Sequence, residues 1–465
     1  MAYLDRRSFL KKTSLSGAAL ALGSLWPRSG LAQTERPARA QYLGGFVAPK
    51  LETIRAAFIG VGHRGKTHVE FFASLPGTEV VAISDLYEDE VQKAAERCKR
   101  PAAQGRHPNV ALYHGDEERW RTMLAETKPD AVFISTNWRN HAPMAIASME
   151  AGAHAFVEVP LATTLADLWA IVDTAERTQR HCMMMENVNY ARDELMFLHM
   201  VRQGVVGELL HAEAAYIHEL RWQMEEVERG TGSWRTFHYA RRNGNLYPTH
   251  GLGPVAQYMN LARRDDTFRS LVSFSTPALG RQAYAQENYS ADHQWNELNF
   301  RGGDLNTSIL KTELGRTIMV QWDETSPRPY TRHNLIQGTK GVLAGFPTRV
   351  ALQGGVEGLT EDHHRWVQGE QLEQLYEKYD HPLYKRLSEA TQGSGHGGMD
   401  GMMMYRIVEC LQQGLPLDQN VYEGALWSAV SPLSERSVAQ GGSPQVFPDF
   451  TRGQWKETEP LAVVG

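Results

Sequence analysis

The sequence predicts an α/β protein in two parts. An N-terminal doubly wound parallel sheet is followed by a C-terminal α+β domain with an open, mainly antiparallel sheet. Three observations carry this expectation. At 465 residues the chain is longer than one ordinary core. From Ile54 to Met185, short apolar runs alternate with helical stretches, the pattern of consecutive βαβ units. Beyond Glu186 the apolar runs are short and punctuated by Thr and Gly, which suits a sheet with one exposed face.

The first strand, Ile54–Ile59, runs into Gly60-Val61-Gly62-His63-Arg64-Gly65 and an amphipathic stretch from Lys66 to Leu75. Strand, G-x-G-x-x-G turn and helix in that order form a dinucleotide-binding fingerprint. Gly60 permits the tight turn, Gly62 lets backbone approach a pyrophosphate, and Gly65 lets helix and strand pack closely. The second strand, Glu79–Ser84, ends at Asp85, where a carboxylate can bind a ribose 2′-hydroxyl and repel a 2′-phosphate. That favours NAD over NADP. Helices over Tyr87–Lys99 and Glu117–Glu126 precede a buried-type strand, Asp130–Ser135, closed by the loop Thr136–His141. A helix over Pro143–Ala151 leads to the strand Ala153–Val157, which delivers Glu158-Val159-Pro160 at its end. The helix Leu165–Arg177 and the strand His181–Met185 complete the pattern. Ligands of such sheets lie beyond the carboxyl ends of the strands, so Gly60–Gly65, Asp85, Trp138–His141 and Glu158–Pro160 converge on one crevice.

In the second part, a helix over Ala191–Gln203 precedes a strand over Glu208–Tyr216, with later strands at Leu271–Ser275, Leu305–Glu313, Thr317–Gln321 and His333–Gln337. Leu343–Gly395 is polar and reads as irregular surface excursions; Met399–Gln413 is helical. The boundaries that follow are 1–32 for a leader, 33–50 for an arm or linker, 51–185 for the nucleotide domain and 186–465 for the second domain with its tail. Polar candidates fall where a crevice between domains would lie: Asn187 and Tyr190, Arg235, Tyr247-Pro248-Thr249-His250, and Tyr330. Each alone also has a structural reading, as a helix-start turn, a loop anchor or a surface ion pair.

Composition narrows the class. A net charge of −6 and the lack of a long Lys/Arg run offer no field for nucleic acid. Cys98, Cys182 and Cys410 are too few and too scattered for a disulfide framework or a zinc site. The runs Met183–Met185 and Met402–Met404 fall where methionine fills cores, so no metal is expected. Arg6-Arg7, a mildly apolar stretch Leu15–Trp26 and Gly30-Leu31-Ala32 read as a Tat leader, which implies export of the folded protein to the periplasm or beyond. No later stretch is apolar and long enough for membrane insertion.

The glycine turn, Asp85, Ser135–His141 and His154–Pro160 resemble the Gfo/Idh/MocA oxidoreductase superfamily. More narrowly they resemble glycoside hydrolase family 109, the NAD-dependent α-N-acetylgalactosaminidases. The match continues through Glu186–Tyr190, Asn243–Pro254, Thr325–Tyr330, Gly395–Asp400 and Phe447–Thr451. The resemblance implies NAD contacts at His63, Arg64, Asp85, Trp138, Arg139, Asn140, His141, Glu158, Val159, Asn187 and Tyr247. It implies substrate contacts at Tyr216, Arg235, Tyr247, Pro248, Thr249, His250 and Tyr330. Two departures stand out. Sugar dehydrogenases of the superfamily carry Glu-Lys-Pro where this chain has Glu158-Val159-Pro160. Arg139 and Asn140 replace the Glu and Trp usual in the hydrolase branch.

The activity implied is hydrolysis, with retention, through transient oxidation of the sugar by a tightly held, recycled NAD. His250 and Tyr247 would sit beside carbon 3, Tyr190 and Tyr330 would serve as acid or base, and Glu158 would orient nicotinamide or a substrate hydroxyl. A tyrosine can move a proton in this way if its pKa is lowered. The expected partner is a small-molecule glycoside, with homo-oligomerisation left open. Two other readings are a periplasmic NAD(P)-dependent sugar oxidoreductase and a non-catalytic NAD- and sugar-binding protein.

Overall fold

The computed structural model describes residues 35–99 and 104–462. The leader at 1–32 lies outside the described residues. The first domain is built from β1 (Ile54–Ile59), α1 (His63–Ala73), β2 (Thr78–Ser84), α2 (Glu88–Arg97), β3 (Ala111–Tyr113), α3 (Arg119–Thr127) and β4 (Ala131–Ile134). It continues with α4 (Trp138–Glu150), β5 (His154–Val157), α5 (Leu165–Thr178) and β6 (Cys182–Met184). Its six strands are all parallel, in the order β3-β2-β1-β4-β5-β6. Register explains the packing. Phe58, Phe133 and Phe156 are cross-strand partners, their rings stack at 4.9 Å, and Phe72 of α1 closes on them. An apolar aromatic ladder of this kind seats α1 on the sheet and so sets where its N-terminus points.

A 3₁₀ turn (Asn187–Tyr190) leads to α6 (Arg192–Arg202), β7 (Leu209–Ile217), α7 (Gly232–Arg241), α8 (Thr249–Tyr258), β8 (Phe268–Ser275) and α9 (Gly280–Asn288). Then come β9 (Leu305–Thr312), β10 (Thr317–Asp323), β11 (Leu335–Gly338), β12 (Gly341–Ala344), β13 (Arg349–Leu352) and β14 (Val367–Gln368). The chain ends with α10 (Leu372–Tyr379), α11 (Pro382–Leu387), α12 (Met399–Gln413), α13 (Val421–Ser428), α14 (Val430–Ala439) and β15 (Gln445–Val446). The second sheet has nine strands, β14-β13-β12-β11-β7-β10-β9-β8-β15. Its pairs are antiparallel except β7–β10, which run parallel.

Four features differ from the sequence reading. Leu343–Gly395 is not irregular: it holds β13, β14 and two helices, because strands of four and two residues leave little periodicity to read. The helix expected to open at Pro143 opens at Trp138, with Pro143 inside it. Helices α12 and α13 belong to the second half of the chain but pack on α1, β1, α5 and β6 of the first domain. Met402–Met404 meet Met183 and Met185 there, in one buried cluster. The arm is docked from Arg36 onward rather than free. Arg36 pairs with the buried Glu176 at 2.8 Å, Leu43 N–H donates to the Tyr422 hydroxyl, and Tyr42 stacks on Tyr422.

Candidate active site

The glycine turn is shaped by contact. Gly60 has φ 80°, and a Cβ there would lie 2.7 Å from the Ser135 carbonyl; a Cβ on Gly65 would strike the carbonyl of Gly60. A Cβ on Gly62 would meet nothing within 4 Å. The middle glycine therefore faces open space, the third faces the strand, and α1 begins between them with no side-chain cap and no acidic residue in its first turn. Its free N–H groups suit a pyrophosphate. Asp85 accepts N–H bonds from Val61 at 2.8 Å and Tyr87 at 3.0 Å, which pin its carboxylate at the lip of the turn. Burial pushes its pKa up, against those two bonds. Turn, helix start and carboxylate together fit a dinucleotide.

Beyond the turn, Arg64 gathers the next residues. It reaches both oxygens of Asp400, at 2.8 and 3.2 Å, and Glu158 at 3.2 Å. His68 holds Glu158 Oε1 at 2.6 Å, Asn187 donates to Asp400 at 2.6 Å, and His396 contacts Asp400 at 2.7 Å. Burial alone would raise the pKa of both carboxylates. For Glu158 the guanidinium of Arg64 and the imidazole of His68 outweigh it, and for Asp400 His396 and Arg64 do so; both are held well below the ordinary range. Val159, where related dehydrogenases carry lysine, is a buried apolar side chain.

The second domain brings the opposite wall. A Cβ on Gly251 would strike the backbone of Ala215, and one on Gly253 would lie 2.9 Å from Glu186 Cγ. These two glycines let α8 lie directly against β7 and the Glu186 turn. The ring of His250 consequently lies 5.1 Å from Tyr216 and 5.0 Å from Tyr247. Its Nδ1 contacts Oε1 of the fully buried Glu186 at 2.5 Å. A carboxylate only accepts, so Nδ1 carries the hydrogen of this bond. Arg235 lies over the rings of Trp138 and Tyr247, 4.7 and 5.2 Å from their centroids. Tyr216 Oη bonds His218 Nδ1 at 2.9 Å, and Tyr330 packs on His218 at 4.9 Å. Several residues of these walls carry buried side-chain atoms without partners: Asn137 Oδ1, Glu186 Oε2, Asn187 Oδ1, Arg235 Nε and Thr249 Oγ1.

The structure thus joins Tyr216, Arg235, Tyr247, His250 and Tyr330 in one aromatic cluster and Arg64, Glu158 and Asn187 in one ion cluster. Pro248 and Thr249, both buried, form the turn into α8. Other expected residues lie elsewhere. Tyr190 donates to Asp418, which Arg406 clamps with two bonds, so its hydroxyl serves the buried core. His141 is fully buried, its ring nitrogens facing the carbonyls of Pro160 and Thr136, and it braces the loop from behind. His63 and Arg139 are exposed and Asn140 half-buried at the rim. Burial pushes the hydroxyls of Tyr190, Tyr216 and Tyr247 up in pKa, contrary to the lowered value a proton-relaying tyrosine needs. Hydroxyls held neutral in this way can donate hydrogen bonds. Sequence reasoning missed Glu186, Asp400, His68 and His218. A carboxylate ending a buried strand was the available signal for Glu186, and an Asp in the Gly-rich turn Gly395–Asp400 was the signal for Asp400.

A parallel six-stranded nucleotide domain carrying an open nine-stranded sheet defines the class: an NAD-binding oxidoreductase fold of the Gfo/Idh/MocA type. Residues 54–186 match the oxidoreductase family described as an NAD-binding Rossmann fold. The fold is shared, at low identity, with levoglucosan dehydrogenase in complex with NADH and L-sorbose: 18% identity, TM-score 0.62, covering 86% of this chain and 100% of that one. An inositol dehydrogenase homologue from Azotobacter vinelandii, complexed with NAD+, aligns at 17% identity and TM-score 0.61, over 87% of this chain and 99% of its own. Residues 190–457 match the glycosyl hydrolase 109 C-terminal domain. Glycosyl hydrolase family 109 protein 1 of Akkermansia muciniphila is 56% identical over 99% of both chains, and a family 109 protein of Shewanella pealeana is 53% identical over 99% of both. The chain belongs to glycosyl hydrolase family 109, and with its NAD-binding domain it is an NAD-dependent glycoside hydrolase.

Proposed function

We propose that the protein hydrolyses α-N-acetylgalactosaminides, with retention, by oxidation, elimination, addition and reduction on a tightly held NAD that each turnover regenerates. The observation that carries this reading is the Glu186–His250 pair across from the glycine turn, with Val159 where a dehydrogenase lysine would stand. When bound, NAD supplies reversible hydride acceptance, which makes carbon 3 of a sugar a ketone and the hydrogen on carbon 2 acidic. Gly62, the start of α1 and Asp85 would hold the dinucleotide. His250 Nε2 takes the proton of the 3-hydroxyl, while Glu186 fixes its tautomer and stabilises the imidazolium that results. Tyr247 and Tyr216, held neutral by burial, donate hydrogen bonds to sugar oxygens rather than accepting protons from them. The Arg235 guanidinium, held over the rings of Trp138 and Tyr247, would donate to an acetamido carbonyl or a ring hydroxyl. Burial pushes the pKa of Tyr330 up even though it accepts an N–H bond from Arg332 at 2.8 Å, so its hydroxyl too would serve as a neutral hydrogen-bond donor, toward the leaving oxygen.

Product formed in deuterated water tests the scheme, since elimination places deuterium at carbon 2 and direct displacement between two carboxylates leaves it protiated. Turnover of an aryl α-glycoside with no label at carbon 2 would overturn the mechanism. Net NADH accumulation with free sugar would favour the oxidoreductase reading instead. The twin-arginine leader supports a periplasmic or secreted location, reached as a folded protein.

A further inference from the structure

Oxidation at carbon 3 followed by elimination needs two proton acceptors, one for the 3-hydroxyl and one for the hydrogen on carbon 2. His250 supplies the first. Few groups in the site can be the second. Burial raises the pKa of Tyr216, Tyr247 and Tyr330, so none of them is a tyrosinate near pH 7. Glu158 and Asp400 are bound by Arg64, and their depressed pKa values make them weak bases. Glu186 is occupied by His250.

His218 is left. It follows β7 by one residue, and its backbone N–H donates to the Asp323 carbonyl at 2.9 Å, which ties it to the end of β10. Tyr216 and His218 are two positions apart, so their side chains leave the extended chain on the same side. The imidazole accordingly stands between two tyrosines, edge-on to the ring of Tyr216 at 5.6 Å and to that of Tyr330 at 4.9 Å. The ring of Tyr216 also meets His250 at 5.1 Å, so both histidines touch one tyrosine. His218 is half-buried rather than sealed. Its Nδ1 bonds the Tyr216 hydroxyl at 2.9 Å, and among the described residues no group bonds Nε2. Burial lowers the pKa of the ring; His250 and His396 lower it further, while Glu324 and Glu219 push back only in part. The ring is therefore neutral near pH 7, with a hydrogen on one nitrogen and a lone pair on the other. The single hydrogen of the Tyr216 hydroxyl goes to a sugar oxygen in the reading above. Its oxygen then accepts from Nδ1–H of His218, and the lone pair falls at Nε2.

We propose that His218 is the second base of the reaction, taking the hydrogen of carbon 2 as a proton on Nε2. The bond from carbon 2 to hydrogen breaks, and its electron pair enters the ketone as an enolate. Expulsion of the group on carbon 1 then forms the double bond between carbons 1 and 2, and the departing oxygen keeps the pair of the broken bond. The charges of Glu324 and Glu219 favour the imidazolium that results. It returns the proton to carbon 2 once water has added at carbon 1, so the residue ends unchanged.

The assignment rests on the glycosidase reading above, and its test separates the two. Protein loaded with NAD is mixed with free N-acetylgalactosamine in deuterated water, and two rates are read. Reduction of the bound nicotinamide, seen by its absorbance, needs only oxidation at carbon 3. Entry of deuterium at carbon 2, seen by nuclear magnetic resonance, needs the second base as well. His218→Asn sets an amide near the place of Nδ1 and keeps a donor for Tyr216, and His218→Phe keeps a ring between the tyrosines. Neither side chain can take the proton. Both variants should slow label entry by about 10² to 10⁴ while nicotinamide reduction keeps most of its wild-type rate. Label entry restored in His218→Asn alone, or both rates falling together, is what a residue that only orients Tyr216 gives, and either result overturns the base. Melting temperatures identify a variant that has lost its fold, and the other then decides. Variants that label as fast as the wild type reject His218 alone. A wild-type protein that never labels carbon 2 rejects the glycosidase mechanism and His218 with it.

Discussion

Replacing Glu186 with Gln asks whether the buried carboxylate and His250 act as one unit. The substitution keeps the shape and removes the charge. A hydrogen bond to a charged group contributes about 1.5–3 kcal/mol against about 1 kcal/mol for a neutral one. At 1.36 kcal/mol per decade, the charge alone accounts for a loss of about two- to thirtyfold in kcat. The tautomer adds to this. A Gln amide can donate to Nδ1 and move the imidazole hydrogen to Nε2, where the base is needed. An Asp-to-Asn change behind a catalytic histidine in a serine protease costs about 10⁴ in this way. Glu186→Gln should therefore lower kcat by between about 10 and 10⁴. His250→Ala should lower it by about 10² to 10⁴, and the double variant should be no worse than His250→Ala. Stability should run the other way. Glu186 Oε2 has no partner and Oε1 has His250 alone among side chains. His250→Ala thus removes the one side-chain hydrogen bond to a buried carboxylate, at a cost of about 1.5–3 kcal/mol, and adding Glu186→Gln should recover most of the lost melting temperature. Steady-state rates on an aryl glycoside and thermal melts of the four proteins complete the cycle. Additive effects on kcat, or an unimpaired Glu186→Gln enzyme, would show that the pair is structural.

Four further outcomes follow from the geometry. Arg229 of the second domain bridges to Asp89 and Glu90 of α2 and covers the ring of Tyr87, beside Asp85; exposed ion pairs contribute up to about 1 kcal/mol. Arg229→Ala should speed NAD loss about two- to fivefold, read as exchange of bound for labelled NAD, and an unchanged rate rejects the strap. Asp85→Asn should narrow the preference for NAD over NADP by about tenfold in direct titrations while keeping the turn; an unchanged preference rejects its role. Glu158 and Asp400 have depressed folded pKa values, so the stability they provide is fully present above their unfolded values of about 4.3 and 3.9 and is lost as pH falls below them. Melting temperatures should fall below about pH 4.5, less steeply in Asp400→Asn, and parallel slopes would count against the cluster. Lys in place of Arg6 and Arg7 should leave the protein in the cytoplasm, and normal export of that variant would reject the Tat reading.

The nucleotide half was legible because its signals are local. A strand, a glycine turn and a helix are neighbours in sequence, and the acid at Asp85 comes at a regular distance. The catalytic wall was legible in its residue types and not in its pairings. Gly251 and Gly253 sat in a recognised stretch, but their packing role depends on Ala215 and Glu186, far off in sequence. Tyr190 looked equivalent to Tyr330 because both follow a polar turn; burial and Asp418 separate them. Leu343–Gly395 hid its strands because two- and four-residue edge segments carry too few alternations to register as a period.

The docked arm bears on the order in which the chain is completed. Glu176 receives Arg36 from one end of the described chain and Arg452 from the other, while Tyr422 stands between them. Tyr42 in turn meets Thr458. Residues 36–42 therefore find their seat only after the stretch around Thr458 has been synthesised and folded, a loop closure of over 400 positions that no local turn can anticipate. The two ends knot the finished molecule like a drawstring. Proteolytic accessibility at Arg36–Tyr42 would accordingly report whether the whole polypeptide has reached its final state, and it sits just downstream of the segment an export machine would read.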